Sequence, residues 1–217
     1  MNSSELLEVF REEMNDEATP YLWSDSWFFR RLDEAQKNFC RFTEGIEDST
    51  TAEITQLTLG GGTSWLPLDV RVLKVREITN VVTGRTYRTV DMESAARLGV
   101  VFNGRTGAPE VFVEGLEKHK LRAWPTPVDD TDLALRVFRL PLVSITAAEQ
   151  ALEIDEQHHL PMLLAVKAAA YGKEDVETFN RSKRDDYELR FRSYCEQARR
   201  EQGRLRHSAG TVAYGGL

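Results

Sequence analysis

Five apolar residues step along one stretch of this chain by four, three, four and three positions. They are Phe28, Leu32, Ala35, Phe39 and Phe42, inside "LWSDSWFFRRLDEAQKNFCRFTEGI" at residues 22–46. At 3.6 residues per turn, that spacing draws a single apolar stripe down a helix. Arg30, Arg31, Asp33, Glu34 and Lys37 fall off the stripe, where a solvated face belongs. Ser24 stands at the N-cap position, and Asp25 follows in the first turn, where the positive end of the helix dipole favours an acid. The stripe leaves Trp23, Trp27 and Phe29 unexplained. Successive residues are rotated by about 100°, so these rings project from other sides of the first turn. They are expected to form an aromatic collar at a subunit or domain interface.

Helical spacing governs only the two ends of the chain. Residues 4–16 carry Leu6, Leu7, Phe10 and Met14 at helical intervals, and Asn2 with Glu5 has the spacing of a capping box. Far downstream, Asp155 is expected to cap a helix running to Tyr171 with Leu160, Leu163, Leu164 and Ala168 as its stripe, and Gly172 stands where a terminating glycine belongs. Pro161 within it demands a kink or a later start, because proline has no N–H to donate. A long last helix follows. Ser182 with Asp185 has capping-box spacing, Tyr187, Phe191, Tyr194, Cys195 and Ala198 make the stripe, and Gly203 is expected to end it.

Between these ends, from Ala52 to about Val143, the pattern changes to short runs rich in Val, Ile, Thr and aromatics, punctuated by Gly-containing turns. Strands are expected near 53–59, 70–81, 86–90, 110–114, 119–124 and 133–139, with a short helix near 92–98. In the last strand Leu133, Leu135 and Val137 share one face, and Ala134, Arg136 and Phe138 share the other. The expected fold class is α+β: a bundle of four main helices, a strand-rich antiparallel β insertion between helix 2 and the C-terminal helices, and an extended C-terminal tail. Residues 1–51 and 144–203 would form the helical domain, 52–143 the β-rich domain and 204–217 the tail.

The chain's 217 residues suffice for a true core, and 41% apolar with 29% charged residues is a globular composition. No run approaches the eighteen or so consecutive apolar residues of a membrane span, and the N-terminus lacks a basic region followed by a greasy one. Cys40 and Cys195 each fall inside an apparent helix without metal-ligand spacing, as two reduced packing residues made in a cytosol would. A net charge of −7 argues against a surface built to grip nucleic-acid phosphates. Positive charge gathers late, at Arg199, Arg200, Arg204, Arg206 and His207.

Each chemical motif has a plainer explanation. His158 and His159 are adjacent, unlike the i, i+4 pair that holds zinc on a helix. GGGT at 60–63 lacks the Lys-Ser/Thr of a phosphate-binding loop and reads as a hairpin turn. DDTD at 129–132 lacks the glycine and distal glutamate of a calcium loop and reads as a solvated turn. Paired carboxylates such as Asp33–Glu34 and Asp185–Asp186 lie on polar helix faces, without the burial an acid/base pair needs. No catalytic residue, metal or cofactor is expected. An enzyme site scattered over strand loops, around His119, Asp129, Asp130 and Asp132, is the competing reading from another class.

The order of segments carries more information than any one motif. "YLWSDSWFFRRLDEAQKNFCRFTEGI", then "LRAWPTPVDDTDLALRVFRLPL", then "LEIDEQHHLPMLLAVKAAAYGKEDVETFN" resembles the head-to-tail adaptor (connector or neck) proteins of tailed double-stranded DNA bacteriophages, over roughly residues 20–200. The shared pattern is a helix opening with a W-S-D-like cap, a P-x-P-D turn entering an amphipathic strand, and a helix pair with a break between. Pro161 departs from it and puts that helix's start in doubt. The resemblance implies a virion structural protein made in the host cytoplasm: a ring, usually of twelve copies, docked under the portal protein, continuing the channel through which DNA leaves. Implied partners are the portal protein, neighbouring copies, tail or nozzle proteins, and passing double-stranded DNA without sequence-specific binding; a membrane is not among them. A tail terminator or baseplate component is the nearest alternative.

An acidic chain suits a DNA conduit, because like charge keeps DNA from sticking. The C-terminal "RHSAGTVAYGGL" is too short for an element of its own, and Thr211 to Tyr214 alternates between glycines as a short strand would. Arg204, Arg206, Thr211, Val212, Ala213 and Tyr214 are the expected portal-docking residues, adding to a sheet edge or entering a crevice.

Overall fold

The computed structural model describes residues 1–173 and 178–206, without the side chains of Leu205 and Arg206. Among these it is a mixed α+β protein with six α-helices and an eight-stranded sheet. The chain divides into two compact units. One is helical, Met1–Glu44 with the described residues from Pro141 onward; the other, Gly45–Leu140, holds the sheet. The strand Ile46–Asp48 belongs to the β-rich unit, where composition places the boundary only after residue 51.

In the helical unit, α1 (Ser3–Met14) opens with the reciprocal capping box: the Glu5 N–H donates to Asn2 Oδ1 at 2.9 Å, and the Asn2 N–H donates to Glu5 Oε2 at 2.9 Å. α2 (Asp25–Thr43) is capped by Ser24, whose Oγ accepts from the Trp27 N–H at 3.3 Å. Its stripe is buried at Phe28, Leu32, Ala35 and Phe39, but Phe42 is 45% exposed. Buried Cys40 and Thr43 take over the inward face near the helix end. A 3.6-residue repeat drifts off a four-three step within a few turns, which carries Phe42 to the side.

A 3₁₀ turn at Glu156–His158 leads into α5 (His159–Tyr171). Asp155 does not cap through its side chain; its carbonyl accepts the His158 N–H at 2.9 Å. Pro161 lies in the first turn of α5, where an N–H has no helical partner in any case. The expected stripe is too narrow. Leu160 is exposed, whereas Met162, Val166 and Ala170 are buried with Leu163 and Ala168, because α5 packs against α1, α2 and α6 together. A helix enclosed by neighbours is apolar nearly all round. α6 (Arg181–Arg206) buries Phe191, Cys195 and Ala198 on the expected stripe. Its cap is Asn180 rather than Ser182, with Oδ1 accepting from the Lys183 N–H at 3.0 Å, and it continues through Gly203 to Arg206.

In the β-rich unit the strands are β1 (Ile46–Asp48), β2 (Gln56–Leu59), β3 (Trp65–Pro67), β4 (Val72–Asn80), β5 (Thr86–Val90), β6 (Val111–Glu117), β7 (Lys120–Trp124) and β8 (Thr131–Arg139). Sheet order is β1-β8-β4-β5-β6-β7-β3, and β2 also pairs with β8. Leu133, Leu135 and Val137 of β8 are buried as the alternation requires. Ladders are antiparallel except β5–β6, which pair in parallel with Thr89 opposite Phe112. Two short strands, β1 and β3, carry too little pattern to be seen in sequence, and Ala52–Thr55 is a helical turn (α3) where a strand is expected. α4 (Met92–Arg97) follows β5, capped by Asp91, which accepts from the Ser94 N–H at 2.7 Å.

The glycine run at 60–62 is not a hairpin turn. β2 pairs with β8 and β3 with β7, so the run bridges two separate ladders. It is clasped to the 127–130 loop: the Gly61 N–H donates to Asp130 Oδ1 at 2.7 Å and the Gly62 N–H to the Pro127 carbonyl at 2.8 Å. A Cβ on Gly61 would lie 2.4 Å from the Val128 carbonyl oxygen, so only glycine permits that approach.

Candidate interaction surface

The aromatic collar is built from the loop between α1 and α2. Buried Asp16 fixes that loop, accepting from the Leu22 N–H at 2.8 Å and from Arg11 Nη1 at 3.3 Å. Trp23 is thereby set edge-on to Phe10 of α1, ring centroids 5.7 Å apart, and is 4% exposed. Phe29 is buried edge-on to Phe28 at 5.7 Å. Trp27 alone of the three retains open surface, 6.4 Å from both Phe10 and Trp23. The chain's own rings therefore occupy much of the collar.

Trp27 lines a concavity of about 460 Å³ in the helical unit, between α2, α5 and α6. Its floor is made by the small side chains of Ala165, Ala168 and Ala169 on α5, and its apolar wall by Phe42 and Phe191, whose rings meet edge-on at 6.4 Å. Arg31 lies over the Trp27 ring at 5.8 Å. Arg184 and Arg192 stand at the rim, each paired with an acid of its own helix: Asp185 at 2.7 Å and Glu188 at 2.6 Å. The trough is apolar below and charged at its edge, the layout of a protein-interface patch with an apolar centre and a polar rim. Phe42 belongs to it for the same reason that it leaves the core.

Neighbouring polar groups hold the helices. His158 Nδ1 lies 2.7 Å from the Tyr194 hydroxyl, and its ring packs at a tilt against Phe39, centroids 4.6 Å apart. Burial pushes His158 below its usual value and Tyr194 above it. His159 Nε2 lies 2.8 Å from the Ile154 carbonyl oxygen, so the two imidazoles turn to different partners. Cys195 is buried and its thiol is pushed up to about 12; Cys40 is buried as well.

The residues of the enzyme reading do not converge. His119 sits in the tight turn between β6 and β7, near Asp69, whose carboxyl is held at about 2 chiefly by the hydrogen-bonding Arg71 side chain. Asp130 accepts from the Gly61 N–H and serves the loop clasp, while Asp132 accepts from the Thr58 hydroxyl at 2.7 Å across the β2–β8 ladder. Among the described residues no cluster of His, Cys, Asp and Glu is arranged to hold a metal ion. Of the expected docking residues, Arg204 is exposed on α6 and Arg206 is its last residue. Thr211, Val212, Ala213 and Tyr214 lie outside the described residues.

Fold and surface together define a two-unit α+β protein with an aromatic-lined trough in its helical unit. The chain belongs to the SU10 adaptor protein family, whose sequence model matches residues 1–213. It is a bacteriophage adaptor-type protein and a virion component. Among the described residues no helix is long and apolar enough to cross a membrane. No curated protein matches the chain.

Proposed function

We propose that this protein is the head-to-tail adaptor: a ring, of twelve copies by analogy, docked beneath the portal protein, extending the DNA channel and offering the platform on which the tail assembles. The observation that carries this reading is the family match, which spans both units rather than one of them. The trough walled by Trp27, Phe42 and Phe191 supports it, because exposed apolar surface of this kind suits a chain that is covered by neighbours after assembly. The net charge of −7 supports a conduit that does not retain DNA. In this reading the helical unit and the segment from Arg204 through Tyr214 face the portal.

The test is direct. Purified protein mixed with portal and viewed by electron microscopy should show a ring beneath the portal, and deletion of residues 208–217 should abolish attachment while the circular dichroism spectrum stays unchanged. Binding to tail-tube ends, with no ring at the portal, would instead identify a tail terminator. Attachment undiminished by the deletion would refute the docking role of the C-terminal segment.

A further inference from the structure

Arg122, a half-buried cation on β7, has no carboxylate partner among the described residues. In β7, Leu121 and Ala123 point into the core, so Lys120, Arg122 and Trp124 share the opposite face. The register places Trp65 of edge strand β3 directly across from Arg122. The Arg122 guanidinium lies 4.0 Å from the Phe102 ring centroid and 5.2 Å from that of Trp65. Its Nε is buried without a hydrogen-bond acceptor, and among the described residues no carboxylate lies within ion-pair reach of it.

The neighbouring cations differ. Lys120 lies over Trp65 at 5.9 Å but is held by Glu117 at 2.7 Å. Arg105 lies over Trp124 at 4.9 Å but is paired with Glu110 at 3.4 Å. A guanidinium carries five N–H donors in a planar fork that matches a carboxylate. Two nearby rings and the burial of Nε keep water from this guanidinium, so a missing acceptor costs more here than at an open surface. Arg and Trp in such a setting are the residue types that dominate binding energy at protein interfaces.

We propose that Arg122, held by Phe102 and Trp65, is the anchor through which the β-rich unit receives a carboxylate from a neighbouring copy of this chain. A nucleic-acid strand is the poorer occupant, because a phosphate backbone calls for a row of unsatisfied cations, and the two other cations held over these rings, Lys120 and Arg105, already have acids. A second copy is the better one on charge. The chain has 35 acidic against 28 basic side chains, so every copy presents unmatched carboxylates. Copies of like net charge repel, and close approach requires a site of opposite local sign on one of the two facing surfaces. Such a receptor on one face and an acid on another make the head-to-tail contact from which closed rings are built. This inference rests on the ring reading above and names one contact within it.

The experiment uses the full chain, with sedimentation velocity for self-association and electron microscopy of rings on purified portal. Arg122→Glu should weaken copy–copy association by tenfold or more, on the order of one charged bidentate contact. Arg122→Lys, which keeps the charge but loses the fork, should fall between it and wild type, with all three proteins giving the same circular dichroism and melting profile. Rings forming with Arg122→Glu as with wild type would overturn this inference and leave the ring reading standing. Absence of rings and of self-association in the wild type would overturn both. Unchanged copy–copy association, with loss instead of binding to portal alone or to a DNA oligonucleotide, would reassign Arg122 to that partner and refute the neighbouring copy.

Discussion

The buried ion pair between Asp48 and Arg139 ties β1 to β8, and replacing Asp48 by Asn tests how much it holds. Arg139 Nε donates to Asp48 Oδ2 at 2.6 Å, with both side chains nearly excluded from solvent. The same carboxylate accepts from the Thr50 N–H at 2.8 Å, the Thr51 N–H at 3.0 Å and the Thr51 hydroxyl at 2.6 Å. Burial alone would raise the Asp48 carboxyl. The donors from Thr51, Arg139 and Thr50 outweigh it and hold the group well below the ordinary carboxylate range. Removing one charge of a buried pair costs about 3–5 kcal/mol when the other is left alone; here Arg139 keeps further contacts, among them Nη1 to the Leu140 carbonyl at 3.1 Å, which places the cost at the lower end. Because Asn keeps one acceptor oxygen, about 3 kcal/mol is expected for Asp48→Asn. The sign with pH follows from the depressed folded value: the contribution is fully present above the unfolded value of about 4 and is lost as pH falls through the folded one. Amide hydrogen exchange of β1 and β8 is the suitable assay, because the two units need not unfold together. In a double-mutant cycle, Asp48→Asn with Arg139→Met should cost less than the sum of the single changes, by about 1 kcal/mol or more. A single-variant cost below about 1 kcal/mol, or strictly additive costs, would refute this account.

Three further outcomes are expected. Gly61→Ala should destabilise the β-rich unit by about 1–3 kcal/mol, because its Cβ meets a backbone oxygen at 2.4 Å, whereas Gly60→Ala, with nothing nearer than 3.7 Å, should change urea midpoints little. Ser24→Ala should cost about 1 kcal/mol and speed exchange of the Trp27 amide specifically, since that N–H loses its acceptor. His158 is depressed chiefly by burial, only partly offset by Asp155 and Glu201, so the stability it contributes is present above about pH 6.5 and lost as pH falls below it. Unfolding midpoints at pH 7.5 and 5.5 should therefore differ by less in His158→Phe than in wild type.

What could be read from sequence was whatever a few neighbouring residues decide among themselves. The Asn2–Glu5 capping box, the Ser24 cap, the buried stripe of α6 at Phe191, Cys195 and Ala198, and the α2 stripe from Phe28 to Phe39 depend on spacing within one helix, and they stand where the pattern places them, while Phe42 drifts out. Alternation in β8 is local in the same sense. The elements that escaped are those whose stability comes from a distant strand. β1 and β3 are three residues each and exist because β8 and β7 supply their hydrogen bonds, and the parallel β5–β6 pair needs α4 and the loop after it to bring the strands together.

The surfaces divide along the same line. Sequence marked Trp23, Trp27 and Phe29 as surplus to one stripe, but only packing against α1 consumed Trp23 and left Trp27 open beside Phe42. Lys120 and Arg105 find acids three and five residues away, at Glu117 and Glu110, whereas the rings around Arg122 come from Phe102 and from Trp65 on another strand. By itself, then, the sequence determined the class and the four main helices, because periodicity and capping act over a few residues. The tertiary structure alone decided which collar aromatic stays open, which glycine admits no side chain and which rings enclose Arg122, because each depends on atoms brought close from far along the chain.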